Sequence, residues 1–264
     1  MGIWLNRRRV FYFFAAIGAI MLIVASGRWA ERLELEVKTN ALRQAAAAQA
    51  LGLRGLVEKH DFLPHAAARH PDVRDLLRVP EDAMLRSRVN DYFADMQRTT
   101  GASALYLIND AGLTIATSNW NLPSSFLGHS YHQRPYFEDA MRGKRGIFYG
   151  LGMTTGQSGL FIAEPVTSAG KILGVVVVKI SLEPIQSTWI ASSDPVMLRD
   201  RHGIVFLSSI PDWLFHSKSA VSAANVRWIA EHVQYGNRNR FDVLPWRVEA
   251  SRDMDSFVLR TTLK

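Results

Sequence analysis

The 264-residue chain contains no cysteine. That excludes disulfides, thiolate nucleophiles and Cys-based metal sites, and it suits an exported domain that needs no oxidative folding. Metal-ligating histidine patterns are missing too. His65 and His70 lie five apart and His129 and His132 three apart, and neither pair forms HExxH or another ligand set. "GQSG" around Ser158 lacks the second glycine of a nucleophile elbow, and no Walker-type glycine precedes Lys144. No catalytic residues and no cofactor are therefore expected. Nucleic-acid motifs are absent and the arginines are scattered, so nucleic acid is not an expected partner. What is present in excess is positive charge, +7 with a pI of about 9.9. It leaves an acidic membrane surface or small anionic ligands as partners. With 48% hydrophobic and 21% charged residues the chain has the composition of a folded protein.

One long apolar run stands out. Arg7, Arg8 and Arg9 precede an uncharged stretch from Val10 to Gly27. Crossing a bilayer as a helix takes roughly 17 to 25 residues, and the arginines should stay cytoplasmic. A cleaved signal peptide is the alternative, but its apolar core is shorter, about 7 to 15 residues. The reading preferred here is an uncleaved, single-pass inner-membrane anchor in contact with lipid, with the main domain periplasmic. Residues 1–28 then form the basic cytoplasmic end and membrane helix.

Residues 29–100 read as a long stalk helix to about Lys59, followed by short helices. The alanine-rich "RQAAAAQALGL" supports helix by propensity. Pro64, Pro71 and Pro80 each lie near a helix start, the last helix running from about Pro80 to Thr100. Val89, Tyr92, Phe93 and Met96 lie three or four apart and predict its buried face.

Strand patterns begin after Gly101. "SALYLIND" and "LTIATSN" flank a tight turn at Asp110-Ala111-Gly112. A short helix to about Arg142 follows, ended by Gly143, then three strands, "GIFYGLGMT", "SGLFIAEPV" and "KILGVVVVKIS". The order describes a five-stranded antiparallel sheet with helical cover, an α+β arrangement, over residues 101–190. "LEPIQSTWI" reads as a connecting helix. "DPVMLRDRHGIVFLSS" then repeats the strand-turn-strand signature of "ALYLINDAGLTIATS". Residues 191–264 are thus a second, related sheet unit, with a helix at "SAANVRWIAEHV" and weak strands at "WRVEAS" and "SFVLRTTL". That second unit is expected to be incomplete at Lys264.

In "QRPYF", Pro135 fits the first helical position, which makes Arg134 the N-cap. A guanidinium beside free N–H groups favours a carboxylate or phosphate. Tyr131 and Tyr136 would add hydroxyls. The plain alternative is a solvated arginine with tyrosines packed on the sheet. Lys179 ends "GVVVVK", where alternation puts Val175, Val177 and Lys179 on one face. It either snorkels at the strand end or supplies a second cation for the far carboxylate of a diacid. Thr154, Thr155 and Ser158 would be rim hydroxyls, and Tyr149 is a further candidate.

The stretch from Ser118 to Val166, then "GVVVVK" and "RDRHGIVFLSS", resembles the periplasmic sensor region of C4-dicarboxylate sensor histidine kinases. That resemblance implies a double Cache (tandem PAS-like) module. It implies that Arg134 and Lys179 bind the two carboxylates of succinate, fumarate or malate in the first Cache unit, with Tyr131, Tyr136, Thr154 and Ser130 lining the pocket. The family more often has an aromatic at the position of Gln133 and a tyrosine at that of Leu160, both expected to border the pocket. The resemblance further implies a homodimer whose ligand biases its membrane helices and so controls a cytoplasmic kinase and its response regulator. No second membrane helix or kinase part follows in this sequence. As given, the chain is expected not to be an enzyme, and to be a fragment, a truncated product or half of a split reading frame. Two other readings stay open: a Cache sensor of another anion or an amino acid for a chemoreceptor or cyclic-dinucleotide enzyme, and a structural membrane-anchored interaction domain.

Overall fold

The computed structural model describes residues 3–191 and 195–244. The chain divides between Leu51 and Gly52 into two units. In the first lies most of a single unbroken helix, α1 (Ile3–Asp61). Its apolar side chains Phe11, Phe13, Phe14, Met21, Leu22 and Ile23 are exposed. This helix supplies the one window among the described residues that is long and apolar enough to cross a membrane.

The second unit, Gly52–Arg247, opens with the last turns of α1 and three short helices, α2 (Leu63–Ala68), α3 (Pro71–Arg78) and α4 (Ala83–Thr100). Pro64 and Pro71 start α2 and α3 as expected. Pro80 does not start α4. The cap is Asp82, whose Oδ1 accepts from the Leu85 N–H at 2.9 Å, a stronger terminus than proline alone provides. Gly101 closes α4 in the left-handed region at φ 74°. Val89 and Phe93 are fully buried, and Tyr92 and Met96 pack beside them.

The five expected strands form one antiparallel sheet: β1 (Ala104–Asn109), β2 (Thr114–Thr117), β3 (Gly146–Leu151), β4 (Ser158–Ser168) and β5 (Lys171–Ser181). Their order is β2-β1-β5-β4-β3. The near-continuous apolar run of β5 makes it central because both of its faces are covered. Val176, Val178 and Ile180 join the core under α2–α4. Val175 and Val177 join a second core with Tyr106, Phe161 and the helix α5 (Pro135–Met141). α5 rides directly on the start of β3, because a Cβ on Gly146 would stand 2.7 Å from the Tyr136 Cα.

After α6 (Glu183–Ile190) comes the hairpin of β6 (Met197–Arg199) and β7 (Val205–Ser208). A 3-10 turn (Pro211–Trp213) and α7 (Ala223–Glu231) follow. The turn of the first hairpin recurs in the second, at the residues that the two sequence stretches align. In the first hairpin the Asn109 Oδ1 accepts from the Leu113 N–H, with Gly112 at φ 83°. In the second, the Asp200 Oδ1 accepts from Ile204 N–H, with Gly203 at φ 84°. The counterpart of Asp200 is therefore Asn109. A third core gathers Leu151, Trp189, Phe206, Ile229 and Tyr235. The strands expected at "WRVEAS" and "SFVLRTTL" lie outside the described residues.

A Cβ at Gly146 would meet main chain, which cannot swing aside. Gly146→Ala should lower stability by about 1–3 kcal/mol, read as a lower urea midpoint with an unchanged slope.

Candidate functional site

Residue by residue, the second core ends in charge. Lys179 lies opposite Phe161 on β4 and Ala104 on β1, in register with Val175 and Val177. The expected alternation holds, so its side chain enters the α5 side of the sheet and is 1% exposed. The Nζ donates to Thr155 Oγ1 at 2.7 Å. Burial pushes the ammonium down to about 8; the charge of Glu183 works against that shift, and Arg134 adds to it.

Arg134 is the N-cap residue of α5, as predicted, with extended backbone (φ −87°, ψ 130°). Its side chain is not solvated, as the plain alternative would have it, and it does not cap the helix. It is 0% exposed. The guanidinium carbon lies 4.7 Å from the centroid of Phe148, 5.4 Å from Phe161 and 5.9 Å from Tyr136, where the negative ring faces attract it. Nη1 donates to the carbonyls of His232 (3.1 Å) and Val233 (2.8 Å), and Nη2 to that of Leu151 (3.0 Å). Nε is buried without a partner.

Both cations border the same end of β3. A Cβ on Gly150 would approach Arg134 Nη2 to 3.3 Å, and one on Gly152 would approach Lys179 Nζ to 3.0 Å. Two glycines two residues apart thus leave room for two cationic heads, a signal present in "YGLGM" that charge-centred reading overlooks. Beyond Gly152 a tight loop, closed by the Gly156 N–H to Gly152 carbonyl bond at 2.7 Å, carries Thr154 and Thr155. Tyr131 OH and Thr154 Oγ1 are 2.8 Å apart. Tyr136 OH lies 2.9 Å from the hydroxyl of Tyr106, a residue sequence reasoning missed. Burial raises the pKa of Tyr106, Tyr131 and Tyr136, so all three hydroxyls keep their protons at neutral pH.

Among the described residues, neither Arg134 nor Lys179 has a carboxylate within 4.0 Å. Three expected neighbours fall elsewhere. Ser130 is exposed, and its hydroxyl lies 3.0 Å from His132 Nδ1. Tyr149 follows Phe148 on β3 and so faces the opposite way. Its hydroxyl donates to the Phe206 carbonyl at 3.2 Å, and Ser158 Oγ lies 3.3 Å away. Leu160 belongs to the core beneath α2–α4, not to the pocket border. Leu151 and Thr155 also form one wall of a separate cleft of about 330 Å³, whose other walls include Glu183, Phe206 and Phe215.

No family model matches the chain. Named relatives do. The chain is 33% identical over 230 residues to the C4-dicarboxylate transport sensor protein DctB of Pseudomonas aeruginosa, a match covering 85% of this chain and 38% of that protein. It is 30% identical over 253 residues to DctB of Rhizobium meliloti, covering 94% of this chain and 40% of that protein. The chain therefore spans well under half the length of these curated relatives. The solved sensor domain of the V. cholerae histidine kinase DctB matches with a TM-score of 0.74 and 33% identity, covering 79% of this chain and 80% of that one. Sequence and fold agree over the same segment, and the chain belongs to the family of the DctB C4-dicarboxylate transport sensors, whose sensor domain it carries.

Proposed function

We propose that the chain is a membrane-anchored periplasmic sensor that binds a small C4-dicarboxylate between Arg134 and Lys179. The observation that carries this reading is the pair of enclosed cations, neither of which has a carboxylate within 4.0 Å among the described residues. Leaving a charge buried and unpaired costs several kcal/mol. A dianion supplies both missing partners at once. One carboxylate accepts from the guanidinium, which keeps Nε and one Nη2 proton after its three main-chain bonds. The other accepts from Lys179 Nζ, with Thr155 beside it. The hydroxyl pairs Tyr131–Thr154 and Tyr106–Tyr136 complete the lining. Ser130 and Tyr149 have no part in this arrangement.

The apolar, exposed segment of α1 serves as the anchor, with Arg7–Arg9 on the cytoplasmic side. Residues 101–190 act as the ligand-binding unit and residues 191–264 as the second unit. In a longer protein of this family the α1 helices of two copies would pair, and ligand binding would bias their arrangement and thereby a histidine kinase and its response regulator.

Titration calorimetry of the full chain in detergent with succinate should give one site per chain. Arg134→Ala and Lys179→Met should each weaken binding by at least about thirtyfold, since truncating one side of a buried charge pair costs about 2–5 kcal/mol. Undiminished affinity in either variant rejects the clamp.

The same titration carries a pH signature. An anion prefers the charged ammonium, and Lys179 loses its proton near pH 8. Affinity should hold between pH 6 and 7 and fall about tenfold by pH 9, with proton uptake on binding above pH 8. The ligand-free chain has the opposite slope. Between pH 8 and 10.5 the unfolded state holds the Lys179 proton that the folded state has released, so this lysine adds to stability as pH rises through that window.

A further inference from the structure

Two of the three acceptors on Arg134 are not part of the sheet that holds it. They are the carbonyls of His232 and Val233, at the turn that leaves α7, 98 and 99 residues away in sequence. Val233 sits there at φ 50°. A β-branched side chain in the left-handed region is a strained conformation that persists only where its surroundings enforce it. The next residue is fixed from two directions. The Gln234 carbonyl accepts from the Leu151 N–H at 2.8 Å, and a Cβ on Gly150 would stand 2.7 Å from that same carbonyl. Gln234 Nε2 and Tyr235 OH both donate to Asp200 Oδ2, at 3.2 and 2.7 Å. Asp200 Oδ1 meanwhile accepts the main-chain N–H groups that shape the β6–β7 turn.

We infer that the turn His232–Tyr235 is a strained latch: Arg134 holds it closed in the anion-free chain, and an anion at Arg134 loosens it. The inference rests on the anion reading of Arg134 given above. The physical ground is the single positive charge that the anion and the carbonyls share. Without an anion, its charge is offset by three carbonyl dipoles, the aromatic faces and the nearby Tyr136 hydroxyl. A carboxylate is a stronger acceptor than a peptide carbonyl, and by neutralising the charge it weakens the bonds to His232 and Val233. Val233 then gains by leaving the left-handed region. Because the far side of the turn is bonded to Asp200, the movement reaches the second hairpin without any ligand contact there. The ion-pair neighbour of the turn, His232 Nε2 at 4.0 Å from Glu138 Oε1 on α5, is loosened with it.

The test is hydrogen–deuterium exchange of the peptide spanning residues 229–236 in the full chain, in detergent, at constant pH. Its main-chain donors include Gln234 N–H to the Ile229 carbonyl and Val233 N–H to the Ala230 carbonyl. Saturating succinate should speed exchange of this peptide several-fold, and Arg134→Lys should do so with no succinate present. Val233→Asn, which tolerates the left-handed region, should favour the closed latch and weaken succinate about fivefold, while Lys179→Met weakens it by at least about a further thirtyfold in that background. Unchanged exchange in both the succinate and Arg134→Lys arms overturns the latch. Slower exchange with succinate overturns its direction, as does a Val233→Asn variant that binds succinate more tightly. If wild-type chain shows no heat with succinate, the dicarboxylate reading fails, and the Arg134→Lys arm alone decides whether Arg134 holds the turn.

Discussion

A guanidinium enclosed by protein with no acid beside it must be stabilised by whatever dipoles the fold can bring to it. In this chain the dipoles are three main-chain carbonyls, from the end of β3 and from the turn after α7, together with the faces of Phe148, Phe161 and Tyr136. Water would solvate the charge far better, so the burial of Arg134 is costly and these dipoles offset only part of it. Much of the local architecture follows from accommodating that group. Gly150 keeps β3 slim enough for the guanidinium and for the Gln234 carbonyl, and Gly152 does the same beside Lys179. The loop that carries Thr154 and Thr155 folds over the second cation and not the first.

The sheet is what allows two cations to be buried so near one another. β5 is covered on both faces, and its alternation sends Lys179 to the same side as the aromatic core while Val178 and Ile180 anchor the strand under the helices. The long apolar run that made β5 recognisable as a central strand is therefore also what holds the lysine rigid. A snorkelling lysine would need solvent at the strand end, but Phe161, Gly159 and Thr155 occupy that space.

How much of this was legible depended on the range of the interaction. The five strands, the helix at Pro135, its stop at Gly143 and the repeated hairpin all follow from local pattern, and so does the face on which Lys179 lies. α4 starts three residues after Pro80, at the residue following Asp82, because only Asp82 offers a side-chain acceptor. Tyr149 is a candidate in sequence, but the period of two that holds for β5 also puts it on the face opposite Phe148 on β3. Ser130 rested on resemblance alone. The carbonyls of His232 and Val233 were out of reach for a different reason: an acceptor that belongs to the main chain leaves no mark in residue identity. The partnership of Tyr106 with Tyr136 was hidden likewise, since a tyrosine in "ALYLIN" reads as an ordinary strand residue until its hydroxyl is placed.

The paired turns at Asn109 and Asp200 are built to the same plan but end in different chemistry. Shaping such a turn takes a single oxygen acceptor, and an amide provides that as well as an acid does. In the first copy the amide spends its oxygen on the turn. In the second, the acid has an oxygen to spare, and Gln234 and Tyr235 converge on it. One atom's difference between duplicated hairpins thus separates a hairpin that merely folds from one that is wired to its neighbour. The two turns keep the same main-chain design and differ in what their acceptor connects.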